Sequence, residues 1–422
     1  MARILYLTQV LPYPLDSGPK VRQYHMLRHL GRRHEVSLVS FTRADDPPEA
    51  IVHLGEICRD VHTVPIRRSA WRNLRAGVEG ILTGEPIVVA RDEMSEMKAT
   101  LERLVSETQY DVIHADQLSM AGYGQLAARA SAPHRPWTLL DEHNAIYVLT
   151  KRMADTEPSL PRRLLMNREA RAFARYEARM VKAYDALLTV IPEDQERLLE
   201  LFPSEAREAL ARKFTVIPIC VDVDQVEPMI GQKGHPPTIL HLGTMFWPPN
   251  INGVLWFARE VLPLIHAQLP DARFFVIGKN PPREVKALAV DPRIQVTGYV
   301  TDLIPYLMET DAFVVPLDAG GGMRVKILDA WRTGLPVVST PIGAEGIMVR
   351  DGENILLAAD APAFAEATIQ LLTDGALNQR LRTNARAWVE AHYSWQSVYA
   401  RVDDVYERLL GEDARVEEEI TL

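Results

Sequence analysis

Short apolar runs rich in Val, Ile and Leu alternate with longer segments of helical periodicity along most of the chain. This alternation is typical of β–α–β units, in which parallel strands are covered by helices on both faces. The pattern therefore predicts an α/β fold built on parallel sheets.

Two series of such units are visible. The first predicts strands at residues 2–8, 34–41, 61–65, 111–115, 137–141 and 186–191. It also predicts a long helix over 161–182, and we expect four of its side chains to face the core: Leu164, Leu165, Phe173 and Tyr176. The second series predicts strands at 238–243, 272–278, 294–298, 312–317 and 336–340.

The length of 422 residues is too great for one ordinary core, so two domains of about 200 residues are expected. Between residues 214 and 237 the periodic pattern breaks into a strand, an irregular piece and a polar segment, which indicates a linker. We therefore predict domains at 1–228 and 238–393, with a last helix at 394–411 that packs back on the first domain.

Composition limits the class of protein. With 47% apolar and 24% charged residues the chain is typical of a globular protein, and its net charge of −9 argues against nucleic-acid binding. No apolar run approaches the roughly 18 residues of a membrane span, and the N-terminus does not resemble a secretory signal. We expect a cytoplasmic protein, in which Cys58 and Cys220 are structural thiols.

A glycine-rich turn is the strongest candidate for chemistry. The strand at 312–317 leads into Gly320, Gly321 and Gly322, and a helix is predicted from Arg324. Glycines allow close approach of a ligand, and the first turn of a helix attracts anions. Arg324 and Lys326 add two cations there, while Lys326 and Asp329 share a helix face. A tight turn with surface charges is the simpler alternative.

Four segments carry a family resemblance, namely residues 242–250, 276–278, 296–302 and 320–340. In this order they resemble the donor domain of the retaining GT-B glycosyltransferases of the group-1, or family-four, type. Residues 12–20 and 110–114 match more loosely. The resemblance implies two facing Rossmann-like domains with parallel sheets. It also implies a nucleotide diphosphate sugar as co-substrate in the interdomain cleft, retention of configuration, and no metal or other cofactor.

The resemblance also implies roles for particular residues. Arg324 and Lys326 would contact the diphosphate, Tyr299 and Val300 would lie against the base, and Asp329 would replace the ribose-binding glutamate of the family. The other donor-binding residues it implies are Gly18, Gly243, Thr244, Gly320, Gly321, Gly322 and Met323. The second acid of the family falls on Gly321, and Asp318 could substitute for it.

Polar residues at two strand ends of the first domain complete the prediction. Asp116 stands where the family often has histidine, and we expect it and His143 to be catalytic, with His114 structural. The Asp222-Val223-Asp224 triplet resembles a D-x-D metal motif, but we predict no metal there.

An arginine-rich run contains Arg67, Arg68, Trp71, Arg72 and Arg75 without an acid. Such a run could lie on an anionic membrane at its inner face, which would suit a lipid-linked acceptor, or could be a solvated helix or loop. Two other functions remain open for this fold. One is a nucleotide-sugar epimerase, and the other is a non-catalytic protein that binds nucleotide sugars.

Overall fold

The computed structural model describes residues 1–15, 18–66, 69–224, 235–319 and 322–411. Contacts divide the chain into two compact units. The first comprises Met1–Pro218 and resumes at Tyr399, and the second comprises Ile219–Val398. Among the described residues, no helix is both long enough and apolar enough to cross a membrane.

The first unit is built on a seven-stranded parallel sheet with strand order β3-β2-β1-β4-β5-β6-β7. Every residue of β4 is buried, as expected for a central strand with helices on both faces. The strands are β1 Arg3–Thr8, β2 Glu35–Thr42, β3 Asp60–Pro65, β4 Val112–Asp116, β5 Trp137–Glu142, β6 Ala186–Thr189 and β7 Phe214–Val216.

Helices connect these strands. They are α1 Gly18–Leu30, α2 Glu49–Gly55, α3 Ala70–Thr83, α4 Ile87–Arg91, α5 Ser95–Glu107, α6 Leu118–Ala130, α7 Ile146–Thr156, α8 Leu160–Ala183, α9 Pro192–Glu200 and α10 Ser204–Ala211. One face of the sheet packs through Leu5, Val39 and Ile113 against apolar residues of α5, α6 and α8. The last helix of the chain, described below, also contributes to this unit.

The second unit holds a six-stranded parallel sheet with strand order β10-β9-β8-β11-β12-β13. Its strands are β8 Thr238–Leu242, β9 Arg273–Ile277, β10 Ile294–Gly298, β11 Ala312–Val315, β12 Val337–Ser339 and β13 Leu356–Leu357. Its helices are α11 Pro248–Trp256, α12 Leu262–His266, α13 Arg283–Lys286, α14 Ile304–Met308, α15 Val325–Arg332, α16 Ala361–Thr373 and α17 Gly375–Tyr393. The final helix, α18 Trp395–Leu410, begins in this unit and ends in the first.

The parallel α/β architecture is confirmed, but the expectation for two side chains of the long helix is wrong. Leu164 and Leu165 do not face the core, because their exposed fractions are 63% and 47%. They lie in the first turns of α8, whereas the helix meets the core only from Ala170 onward, where Phe173 and Tyr176 are buried as expected. In the second unit, α11 and α12 are joined by a π-helical turn, Phe257–Val261.

Candidate active site

Three loops at the carboxyl edge of the second sheet lie in direct contact. The amide of Gly243, after β8, donates to the carbonyl of Ile277, and the amide of Gly278 donates to that of Gly298. A Cβ on Gly278 would overlap the Gly243 carbonyl oxygen. Open α/β sheets bind ligands at this edge, and here only a residue without a side chain fits at Gly278.

Lys326 projects into the Gly243 loop from the first turn of α15. Its Nζ donates to Oδ1 of Asn250 at 2.8 Å, and the side-chain nitrogen Nδ2 of Asn250 donates to the carbonyl of Thr244 at 2.9 Å. A Cβ on Gly243 would come within 2.9 Å of Nζ, so the glycine leaves room for the lysine. The structure thus brings together the predicted residues Gly243, Thr244 and Lys326. Asn250 was not predicted, although it ends the 242–250 segment.

Two cations lie at this point, Arg324, which is buried, and Lys326, which is partly exposed. Arg324 is 8% exposed, and its Nη1 donates to the carbonyl of Gly322 at 2.9 Å. Burial, and then the charge of Arg324, lower the pKa of Lys326 to about 7. Among the described residues, no carboxylate forms an ion pair with Lys326. Adjacent cations with little hydration favour an anionic ligand, which would restore the charged form of the lysine.

His241 lies under this cation pair on β8. It is completely buried, and its Nδ1 is 2.9 Å from the carbonyl of Val314. Burial and the charge of Lys326 lower the pKa of its ring to about 3, so His241 is neutral at physiological pH. No further positive charge therefore comes from this residue.

Asp329 does not pair with Lys326, although both lie on α15. Its Oδ1 accepts from Nε of Arg332 at 2.9 Å, and Arg332 Nη1 also donates to the carbonyl of Asp222 at 3.3 Å. Burial raises the pKa of the Asp329 carboxyl, and the charge of Arg332 opposes that shift. Because 43% of the side chain is still exposed, one side of the carboxylate remains accessible to a ligand.

A cavity of about 510 Å³ lies at the ends of β9 and β10. Lys279, Asn280, Thr297 and Tyr299 contribute to its walls. Tyr299 is 72% exposed and so offers a large free surface. Val300, the other residue predicted to lie against a base, is partly buried and packs against the core of the unit.

The remaining residues that the sequence predicts to bind the donor lie in different surroundings. Gly322 has a φ of 75°, which favours glycine, and the sulfur of Met323 accepts from the amide of Ile219 at 3.3 Å. Gly18 opens α1 in the first unit, and nothing lies within 4 Å of the position of a Cβ there. Gly320 and Gly321 lie outside the described residues.

In the first unit, a buried arginine organises the strand ends. Nε and Nη2 of Arg22 donate to the two carboxylate oxygens of Asp141, each at 2.9 Å. The remaining nitrogen, Nη1, donates to the carbonyls of Ile217 and Pro218 at 2.6 and 3.2 Å. The guanidinium therefore joins α1, β5 and the segment that leaves the unit.

The two predicted catalytic residues of this unit, Asp116 and His143, are in contact. Nε2 of His143 is 3.1 Å from Oδ1 of Asp116, and Nδ1 of His143 is 3.3 Å from the side-chain nitrogen Nε2 of Gln117. The other Asp116 oxygen accepts from Gln23 at 2.5 Å. His114 is buried beside them, with Nδ1 2.8 Å from the hydroxyl of Tyr406. Neither Gln23 nor Gln117 was predicted.

Asp116, Asp141 and His143 could in principle hold a metal, because one ligand atom from each lies within 4.8 Å of the others. Arg22 already neutralises Asp141 with two hydrogen bonds, so this donor set lacks a free second carboxylate. In the Asp222–Asp224 triplet, Oδ1 of Asp222 accepts from the Asp224 amide at 3.1 Å, and Oδ2 of Asp224 accepts from Gln396 at 2.9 Å. Neither group has the open, oxygen-rich character that Mg²⁺ prefers.

Helix α3 carries an exposed apolar stripe. Five of its side chains are between 53% and 81% exposed, namely Trp71, Leu74, Val78, Ile81 and Leu82. At about 3.6 residues per turn they fall within an arc of about 100°. The opposite side, with Ala76 and Gly80, is buried. Nothing among the described residues covers the stripe.

The arginines of the run predicted to contact a membrane differ in their surroundings. Arg72 turns inward, because its Nη2 donates to the carbonyls of Arg91 and Glu93 at 3.2 and 3.1 Å. Arg75 is 76% exposed beside the stripe and lies 3.7 Å from Glu79. Arg67 and Arg68 lie outside the described residues.

Comparison with known proteins identifies the family to which the chain belongs. Residues 17–212 match the glycosyl transferase 4-like domain, and residues 236–374 match the glycosyl transferases group 1 model. An uncharacterized 44.6 kDa protein in the cps region of Klebsiella pneumoniae is 24% identical over 95% of this chain and 99% of its own length. A UDP-Gal:α-D-GlcNAc-diphosphoundecaprenol α-1,3-galactosyltransferase of Escherichia coli is 26% identical over 68% of this chain and 73% of its own.

Solved structures show the same fold. The structure of Anabaena Alr3699/HepE in complex with UDP and glucose superimposes with a TM-score of 0.65 at 14% identity, covering 96% of this chain and 100% of that one. Both parallel sheets are thus those of a GT-B protein. The chain belongs to the group 1 glycosyltransferases of the GT-B fold.

Proposed function

We propose that this glycosyltransferase takes its sugar from a nucleotide diphosphate sugar, with retention and without a metal ion. The observation that carries the proposal is the pair of cations beside the Gly243 loop, namely buried Arg324 and partly exposed Lys326. A diphosphate would place negative charge beside these two cations. The E. coli relative, whose name specifies UDP-galactose, supports a donor of this class.

The rest of the donor would extend from the diphosphate along the same sheet edge. The cavity beside Tyr299 has room for a base, since ligand pockets of about 300–1,000 Å³ are typical. The exposed side of Asp329 would accept a ribose hydroxyl while Arg332 keeps its other bond. Asp318, which is exposed, is the acid nearest in sequence to the position that the family gives to the donor sugar.

In this proposal the two cations act by electrostatic stabilisation. As the bond between the sugar C1 and the phosphate oxygen breaks, charge develops on the leaving diphosphate, and Arg324 and Lys326 are already in place to stabilise it. The leaving oxygen takes the proton of the acceptor hydroxyl, which then bonds to C1 on the same face. Since the cations do this work, the mechanism requires neither a metal ion nor a separate general base. Asp116 and His143 would orient the acceptor.

We assign the acceptor to the lipid-linked class, with α3 as the membrane contact. The stripe from Trp71 to Leu82 presents an apolar face to solvent, and exposed Arg75 lies at its edge. A helix with this distribution lies in the interface of an anionic bilayer. The helix α8, whose Arg168 donates to the carbonyl of Gly80 on α3, carries two further exposed leucines, Leu164 and Leu165. The E. coli relative acts on a diphosphoundecaprenol-linked sugar, which supports this class.

The donor site is tested by Lys326→Met, with Lys151→Met as a control on an exposed lysine. Calorimetric titration with UDP, UDP-glucose and GDP-mannose, with and without EDTA, should show binding by the parent and the control but not by Lys326→Met. Without ligand, Lys326→Met should melt at a higher temperature than the parent at pH 7. The reason is that holding an ammonium group with a depressed pKa in the native state costs stability.

The pH dependence provides a second readout. Between the native pKa of about 7 and the unfolded value of about 10.4, the unfolded chain binds more protons, so the stability of the parent rises with pH in this range. The advantage of Lys326→Met should therefore shrink toward pH 10. Equal nucleotide affinity in parent and variant would refute the site. Binding without transfer to any lipid-linked acceptor would instead indicate a binding protein.

Membrane contact is tested by flotation with vesicles of phosphatidylglycerol or phosphatidylcholine. Leu74→Glu/Ile81→Glu should abolish binding to the anionic vesicles, whereas Val52→Glu/Val290→Glu, which changes two equally exposed apolar residues elsewhere, should not. High salt should weaken vesicle binding by the parent only in part, because salt screens the attraction of Arg75 to anionic lipid but not the burial of the apolar stripe. Retention of binding by the α3 variant would contradict the assignment.

A further inference from the structure

A second cavity lies entirely within the first unit, under the α3–α4 segment. Its volume is about 350 Å³, and it is bounded by α3, α4, α6 and α8. An adjoining cavity of about 320 Å³ shares Glu79, Ala90, Glu93 and Lys98 with it. Neither includes a residue of the proposed donor site. The groove described below is the first of these, the 350 Å³ cavity, and the proposed reaction does not use it.

The roof of the groove is held in place by side chains of α8. Arg168 donates to the carbonyl of Glu85 at 2.9 Å and also to that of Gly80, and Arg175 donates to that of Gly84 at 3.0 Å. On α4, the amide of Ile87 donates to Glu169 at 2.8 Å. The groove is therefore a fixed part of the structure, rather than an incidental gap between loose segments.

Two hydroxyl groups at the wall of the groove are buried without a hydrogen-bond partner among the described residues, Ser119 Oγ and the Tyr176 hydroxyl. Tyr176 is only 5% exposed. Burial raises its pKa to about 12, and the backbone amide of Gly122 opposes this shift. Buried hydroxyls are nearly always satisfied, so such a pair indicates a ligand or ordered water.

The charges around the groove balance. Three carboxylates face three cations, namely Glu79, Glu85 and Glu93 against Lys98, Arg129 and Arg179. Glu85 accepts from Arg179 at 2.6 Å, and Glu93 pairs with Lys98. Such pairs offer both donors and acceptors without attracting a net charge. Apolar wall is supplied by Val89 and Leu126.

We infer that this groove binds a neutral saccharide unit. A sugar ring presents hydroxyl groups around its edge and carbon-bound hydrogens on its faces, which matches paired charges, free hydroxyls and apolar wall in one cavity. An anion would be opposed by three carboxylates, and a purely apolar ligand would leave Ser119 and Tyr176 unsatisfied. The site lies in a different unit from the donor site, so it holds whether or not the proposed donor is correct.

The test is saturation-transfer NMR of the full chain with the methyl glycosides of glucose, galactose, mannose and N-acetylglucosamine. At least one should bind with a dissociation constant of about 1 mM or tighter. Tyr176→Phe should weaken that binding about threefold to tenfold, as expected for one lost hydrogen bond. Ser119→Leu should fill the groove and abolish binding, whereas Ser106→Leu, on the exposed side of α5, should not.

Nucleotide titration of the same samples separates this inference from the proposed function. Ser119→Leu and Tyr176→Phe should keep the nucleotide affinity of the parent, which also shows that they are folded. Glycoside binding without nucleotide binding would support the groove assignment and refute the proposed nucleotide-sugar donor. If no glycoside binds at millimolar concentration, or if inorganic phosphate binds in its place, the groove holds water or an anion and the inference is overturned.

Discussion

Replacement of Arg22 by methionine should destabilise the first unit severely. The side chains of Arg22 and Asp141 are 2% and 0% exposed, and two hydrogen bonds of 2.9 Å join them. Arg22→Met leaves the carboxylate buried without its counter-charge, and breaking a buried pair in this way costs about 3–5 kcal/mol. The carbonyls of Ile217 and Pro218 also lose their donor.

Urea unfolding monitored by circular dichroism measures the effect, and a double variant isolates its cause. Arg22→Met/Asp141→Leu removes both charges and should recover most of the lost free energy, because apolar replacement of a buried pair is often neutral. A loss below about 1 kcal/mol in the single variant would refute the reasoning, since the pair would then be well solvated.

The dependence on pH has a definite sign. In the parent, desolvation raises the pKa of Asp141, but Arg22 and neighbouring histidines outweigh it, so the pKa lies below its ordinary value. That contribution to stability is present above the unfolded pKa of about 3.9 and is lost as the pH falls through the native value. In Arg22→Met, desolvation dominates and raises the native pKa of Asp141. As the pH falls, the native state therefore binds a proton before the unfolded state does. The deficit of the variant should therefore shrink as the pH falls from 7 toward 4.

Two other predictions concern packing and a second buried carboxyl. Gly278→Ala should lower the stability of the second unit by about 1–3 kcal/mol in thermal unfolding, because its Cβ overlaps the Gly243 carbonyl oxygen. Gly375→Ala, with nothing within 4 Å, should not. Burial raises the pKa of Glu177 to about 8, so the parent should lose stability as the pH rises from about 4.3 through 8. Glu177→Gln should flatten that dependence in melting temperatures measured from pH 5 to 8. If the melting temperatures of parent and variant instead fall in parallel with pH, Glu177 is not protonated in the native state.

The strands were predictable because parallel strands are continuously apolar and short. The strand at Ile294–Gly298 has the bounds that the sequence predicts, and the missed strand, Leu356–Leu357, has only two residues. The inward or outward direction of helical leucines was less predictable. Leu164 and Leu165 have the same periodicity as core residues, but they precede the part of α8 that meets the sheet.

The candidate site was predictable where one segment carries it and unpredictable where distant segments meet. The cations Arg324 and Lys326 follow from the glycine-rich turn. The hydrogen bond from Lys326 to Asn250 joins residues 76 positions apart, so no local pattern indicates it. Asp329 lies within three residues of both Lys326 and Arg332, and only the direction of Lys326 toward the Gly243 loop decides its partner.

The path of α18 has a consequence for the order in which the protein is assembled during synthesis. The helix is the last described element, yet Tyr406 bonds His114 and Asp403 bonds His29 at 2.8 Å in the first unit. On the ribosome, the whole of residues 219–398 emerges before these contacts can form. Domains generally complete in N- to C-terminal order, but here the second unit can finish first. Until α18 has left the ribosome, the buried ring of His114 lacks its contact with the Tyr406 hydroxyl, so the first unit is the last to complete its packing.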